Sequence, residues 1–237
     1  MRLFLCLPLL LPWPGSAWDT APHQAITKAA LDSLPGRVRA RFGDEAASLA
    51  EVYCMYPDRY LEMVRFGFVR KSAGPRSPEE IRIYCVRPDG QAVHGATGDR
   101  DNDLASLVYL FERIIKCFFE SRPTEAARYA GVLSHFIADS LSPPHADDVD
   151  AAVHAAIERS VPAFTLAGRT PQSAGAHLLP AAAAILDRIY AAQDLNRKDL
   201  PAMVKAVADR DERTLDKYRL AAAVQAAGIL ADALSTL

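Results

Sequence analysis

Apolar residues in this chain recur at helical spacing, and no segment alternates them strongly at the two-residue period of a strand. The clearest stripe is Leu104, Leu107, Val108, Leu110, Phe111, Ile114 and Ile115, the spacing of one buried helix face. Punctuation frames the other helices. Thr20 can cap a helix to about Leu34, with Pro22 in its first turn and Pro35-Gly36 closing it. A second helical stretch covers about Val38 to Tyr53. Pro123 opens a helix that stops before Pro143-Pro144. Further helices are predicted from about Asp147 to Ser160, Ser173 to Gln193 and Glu212 to Leu234. Between Tyr56 and Asp103 the period is lost among Gly, Pro, Arg and Asp, in runs such as Ser72-Ala73-Gly74-Pro75, Arg87-Pro88-Asp89-Gly90 and Gly95-Ala96-Thr97-Gly98. That stretch predicts a long ordered excursion with room for one short helix or strand. With no internal repeat, the expected fold is all-α: a single compact multi-helix domain with a long loop insertion around its site.

Composition and charge narrow the partners. The chain has 237 residues, 50% hydrophobic and 24% charged, which suits an ordinary globular domain. Its formal net charge of −2 offers no basic field for a long nucleic acid, so no stable nucleic-acid complex is expected. A nuclease is weakened but survives, because a metal cluster can supply positive charge locally.

The first residues bear on compartment. Met1-Arg2 is a minimal positive start, Leu3 to Trp13 is apolar, and Pro14-Gly15-Ser16-Ala17 places small residues at a cleavage point. Residues 1–17 are therefore expected to be a signal peptide, and 18–237 a secreted or periplasmic domain. The apolar run is too short for a membrane span. Cys54 and Cys85 could pin the ends of a loop, whereas Cys117, inside a helical pattern, is expected as a buried thiol; an odd count proves no bridge.

His135 and Asp139 lie four apart on one predicted helix and share a face. His145 follows beyond the Pro143-Pro144 break, and His154 and Glu158 form a second four-spaced pair on the next helix. One such pair is commonly a hydrogen-bonded core histidine. Two pairs, joined by a proline-broken turn that carries another histidine, point to metal binding. Cleavage after Ala17 would also expose the Trp18 amine and carbonyl as a chelating pair, with His23 five positions on.

Trp18, the His135/Asp139 pair, the trailing His145 and the His154/Glu158 pair resemble the trinuclear zinc site of the zinc-dependent phospholipase C family, a site shared with fungal single-strand nucleases. The resemblance runs from about Trp18 to Glu158. It implies three zinc ions. Asp58, His94, His135 and Asp139 would hold one; His145, His154 and Glu158 a second; and the Trp18 amine and carbonyl, His23 and a bridging Asp139 the third. The gap from Asp58 to His94 is longer than in the bacterial phospholipases, so Asp89, Asp99, Asp101 and Asp103 are alternatives for the place of His94. The Trp18-to-His23 spacing looks like the nucleases, and the glutamate at 158 looks like the phospholipases.

The resemblance implies a secreted hydrolase cleaving phospholipid phosphodiesters with metal-activated water, Asp58 serving as general base or as a plain ligand. Peripheral membrane contact would accompany it. The rivals are a single-strand nuclease or 3′-nucleotidase on the same site, and a non-catalytic metal-binding module. Phe118-Phe119, Arg65, Arg70, Lys71 and His177 are read chiefly as packing or surface residues.

Overall fold

The structure, a computed structural model, describes residues 19–69 and 77–237. Residues 1–18 and 70–76 lie outside the described residues, and with them the expectations placed on the first 17 residues, Trp18, Arg70 and Lys71. The helices are α1 (Thr20–Ser33), α2 (Gly36–Arg39), α3 (Glu45–Glu51), α4 (Tyr56–Phe66), α5 (Pro78–Cys85), α6 (Arg100–Phe119), α7 (Pro123–Ser140), α8 (Ala151–Glu158), α9 (Leu178–Asp209) and α10 (Glu212–Thr236). Short 3₁₀ turns form at Ala40–Phe42, Tyr53–Met55 and Pro143–His145. Among the described residues there is no strand, only an isolated bridge between Val86 and Ala92. The fold is all-α.

Helix α7 is the axis of the molecule. Fourteen of its 18 residues are buried, so it is enclosed nearly all round. Helices α1, α3, α4, α5, α6, α9 and α10 all pack on it. Leu107, Leu110, Phe111 and Ile114 of the predicted stripe are buried beside Leu133, Phe136 and Ile137. Gly131 is where the packing is closest: a Cβ there would lie 2.5 Å from the backbone of Tyr53. Glycine lets the Tyr53–Met55 turn rest directly on α7.

Several boundaries differ from the sequence pattern for local reasons. The 56–103 stretch holds two helices. Ser77 and Glu80 form a capping box around Pro78, and Gly67, with φ of 75°, ends α4 in the left-handed region. The turn residues there bracket helices as well as loops. Gly43, with φ of 55°, splits the second predicted helix. Helix α9 continues past Gln193 and through Pro201, because Leu200, Met203 and Ala206 pack with Ile157 and Leu215 in a second, smaller core.

The Cys54–Cys85 bridge that the sequence left open does not form, and Cys117 is a buried thiol as expected: Cys54, Cys85 and Cys117 are free and buried. The Cys54 thiol instead donates to the Ala50 carbonyl, 3.1 Å away. Phe118 packs edge-on against Phe42, and Phe119 is 90% exposed. No helix among the described residues is long and apolar enough to cross a membrane.

Candidate metal centre

The predicted ligands converge from six places in the chain. His23 is in the first turn of α1, which Asp19 caps by accepting from the Thr20 N–H. Asp58 is in the first turn of α4, behind Pro57, where a carboxylate also meets the positive end of the helix. His94 follows the loop closed by Val93 N–H to Cys85 carbonyl. His135 and Asp139 are one turn apart on α7, His145 ends the Pro143–His145 turn, and His154 and Glu158 are one turn apart on α8. Asp150 starts α8 by accepting from the N–H groups of Ala152 and Val153.

Three sets of these groups could each hold a metal ion: His23/Asp58/His135, His94/His135/Asp139, and His145/His154/Glu158. The first two share His135 and make one inner cluster. Both oxygens of Asp139 are engaged: Oδ1 lies 3.1 Å from His23 Nε2, while Oδ2 lies 2.8 Å from His94 Nδ1 and 3.2 Å from His135 Nε2. Asp58 Oδ1 is 2.9 Å from His94 Nε2 and 3.6 Å from His135 Nε2. In the outer cluster Glu158 faces His145 at 3.4 Å and His154 at 2.8 Å.

These separations test a metal directly. Ligands about 2.05 Å from a tetrahedral zinc are about 3.3 Å from one another, within the observed range. Seven buried atoms of the two clusters make no hydrogen bond despite this proximity: both ring nitrogens of His23, His135 Nε2, both oxygens of Asp139, His154 Nε2 and Glu158 Oε2. Their lone pairs and N–H vectors are not aimed along the lines between them. Orphaned buried polar atoms are costly, and a cation among them would satisfy several at once. The residues fit a metal.

The surroundings orient each ligand. His135 Nδ1 donates to the Cys54 carbonyl at 2.8 Å, which turns Nε2 toward the cluster. His135 also stacks on His23, with ring centroids 4.2 Å apart. Thr27 donates to the His23 carbonyl at 2.7 Å and shares a hydrogen bond with Ser134. The Ser142 hydroxyl donates to Glu158 Oε1 at 2.5 Å. Ser140 accepts from the Ala96 N–H at 2.7 Å, and Gly95 lies so close to α7 that a Cβ would be 3.1 Å from that of Asp139. The loop carrying His94 is thereby pressed onto α7.

Electrostatics follow this geometry. Burial opposes the charge on Asp139, but His135 and His94 outweigh it and hold its carboxyl well below the usual range. Asp58 is lowered by the same two rings, again against burial. Burial works against a charged His94 too, yet Asp139 and Asp58 on its two sides raise it well above the ordinary value, so metal binding there must release a proton. In the outer cluster burial wins. It pushes His145 down to about 4 and Glu158 up to about 7.

His94, not one of the neighbouring aspartates, joins the cluster. Asp103 is fully buried but spent on the Thr97 and Gly98 N–H groups and the Tyr190 hydroxyl. Asp99 caps α6, Asp101 is exposed, and Asp89 pairs with Arg87. His177 is exposed and outside the clusters. Trp18 itself is outside the described residues, but the next N–H, that of Asp19, donates to the Glu158 carbonyl at 3.2 Å. The start of α1 is tied to the end of α8.

The orienting residues Thr27, Ser134, Ser140 and Ser142 escaped the sequence reading. Single hydroxyls on helices carry no signal of their own until the partner is known. Comparison with protein-family models, curated proteins and solved structures gives no match.

Proposed function

We propose that this chain is a secreted, zinc-dependent phosphodiesterase of the phospholipase C type. The observation that carries the reading is Asp139, a fully buried carboxylate whose two oxygens face three histidines without a hydrogen bond to satisfy them. A bridging carboxylate between adjacent ions would have this environment. The order of ligands along the chain, and the shared Asp139, match the resemblance to the zinc-dependent phospholipases C.

Clustered zinc ions neutralise phosphate oxygens and bring the pKa of a bound water toward neutrality. The chain's own residues divide the remaining work. His23, His135 and Asp139 form the sealed floor, each 0% exposed. His94 and His145, with side chains 26% and 25% exposed, form the open side toward which the phosphodiester comes. Asp58, ionised and 13% exposed, takes the proton of the attacking water on Oδ2, its Oδ1 being held by His94. Lipid is favoured over nucleic acid by the net charge of −2 and by Leu61 and Val64, exposed apolar residues on the helix that carries Asp58.

The test is zinc stoichiometry and hydrolysis of a chromogenic phosphocholine ester, measured on one preparation of protein beginning at Trp18. Three zinc per chain with ester cleavage lost in His135→Ala supports the reading. Zinc without ester cleavage, but with nucleotides released from single-stranded DNA, replaces it with the nuclease. Zinc with neither activity leaves a binding module, and no zinc withdraws the enzyme altogether.

A further inference from the structure

Three consecutive carbonyls close helix α8, and groups from outside the helix take all three. Arg219 of α10 donates from Nε to the Ile157 carbonyl at 2.9 Å and from Nη2 to the Ala156 carbonyl. The Asp19 N–H takes the carbonyl of Glu158. Carbonyls in the last turn of a helix lack intrahelical partners, so these bonds fix a turn that would otherwise fray.

Arg219 is only 1% exposed. Its Nη1 is held by Glu212 at 3.0 Å and Asp216 at 2.8 Å, which balance the charge and set the plane of the guanidinium. The cation also sits at the negative end of the α8 dipole. The helix it grips is only eight residues long, and two of them, His154 and Glu158, belong to the outer cluster. The turn carrying His145 is held the same way. Asn196 of α9 donates to the Leu141 carbonyl at 2.8 Å, and Arg197 to the Ala146 carbonyl at 3.1 Å. These bonds end on backbone and not on the ligand side chains.

We propose that Arg219 is a positioning residue for the outer metal group: it fixes the last turn of α8 so that His154 and Glu158 meet one ion together with His145. This rests on reading those three residues as a zinc site. If Arg219 were packing alone, its loss would lower thermal stability and leave metal affinity untouched. If it positions ligands, its loss must fall on one metal equivalent and spare the rest.

The experiment compares Arg219→Lys with the unaltered chain, both beginning at Trp18. Zinc is withdrawn by a chromogenic chelator, and cobalt(II) absorption is recorded after substitution. Lysine keeps the charge but cannot span two carbonyls. One zinc equivalent should leave about 10–100-fold more readily, as for other residues that orient ligands, with the other equivalents unchanged and the cobalt band reduced by that site's share. Unchanged chelation with a lowered Tm overturns the proposal. An unaltered chain that itself lacks this equivalent overturns the reading of the site, and the proposal with it. If Arg219→Lys does not fold, the double variant Glu212→Gln/Asp216→Asn takes its place. Those side chains are 63% and 44% exposed, and the new amide oxygens can still accept from Nη1, so the change removes the balancing charge and loosens the guanidinium without deleting its hydrogen-bond partners. A roughly tenfold loss confined to the same equivalent is expected, the lower end of such orienting effects; no loss, or loss spread over all equivalents, overturns the proposal.

Discussion

The inner and outer clusters contain the same kinds of ligand but are built on different foundations. The inner one draws His23, Asp58, His135 and Asp139 from α1, α4 and α7, helices packed into the main core, and His94 from the loop pressed onto α7. Its carboxylates are held ionised by neighbouring imidazoles. The outer one rests on a three-residue turn and an eight-residue helix, backed by the smaller core and tied to α9 and α10 through backbone carbonyls. There burial dominates and pushes Glu158 toward its neutral form. A carboxylate already compensated by charge is ready for a cation. One that is merely buried needs the cation before it is stable as an anion. The inner cluster is therefore expected to fill first and the outer one to release its metal first.

The largest effect that tests this contrast is at the residue common to both inner sets. His135→Ala should remove inner zinc and lower ester hydrolysis by about a thousandfold or more, because the several kcal/mol of charge stabilisation supplied by metal is lost. The outer equivalent should remain, detectable by elemental analysis. Loss of all zinc together would mean that the two clusters are one cooperative unit and that the contrast is false.

Next in size is a change that touches no ligand. Gly131→Ala places a Cβ 2.5 Å from the Tyr53 backbone, so α7 and the Tyr53–Met55 turn must separate. That turn supplies the Cys54 carbonyl that orients His135. Overpacking of this kind should cost about 3 kcal/mol, lowering Tm by roughly 6–12 °C for a chain of this size. Inner zinc should weaken and outer zinc should not. A Tm within a degree of the unaltered protein would show that the turn can move away freely.

The contrast also marks what the sequence could reveal. His135/Asp139 and His154/Glu158 were legible because four-residue spacing on a helix is itself geometry. Asp58 came from the resemblance and His23 from its place near the expected N-terminus, and the structure brings both to His135. The 56–103 stretch was misread as mainly loop, since Gly67 and Ser77-Pro78 are turn residues that also end and begin helices. The helix predicted to end near Gln193 runs on through Pro201, because Leu200 and Met203 have a core waiting for them. Nothing in the sequence singles out Arg219. Its partners, the Ala156 and Ile157 carbonyls, lie more than 60 residues away and leave no mark in its neighbourhood.

A smaller effect probes the outer cluster alone. Ser142 is fully buried and donates to Glu158 Oε1. Ser142→Ala should weaken the outer zinc about tenfold while inner zinc and folding stay nearly unchanged. Chelator competition reads the affinity and thermal unfolding the stability. An equal loss at both clusters would contradict their independent support.

The smallest effect lies beneath the inner cluster. Glu45 accepts from the Tyr53 hydroxyl at 2.7 Å and from Thr124, at the start of α7, at 2.9 Å. It thereby clamps the Tyr53–Met55 turn to the helix carrying His135. The Tyr53 hydrogen bond leads the forces that lower the Glu45 carboxyl below its ordinary 4.5, with burial opposing. A depressed carboxyl gives stability that is present above the unfolded value and lost as pH falls through the folded one. Tyr53→Phe should accordingly cost about 1 kcal/mol near pH 6, with the difference from the unaltered chain shrinking as the pH is lowered past about 4 and vanishing once Glu45 is protonated in both. Urea unfolding between pH 3 and pH 6 reads this directly. A deficit independent of pH would mean that the tyrosine contributes by packing alone, and that the floor of the inner cluster is held without its hydrogen bond to Glu45.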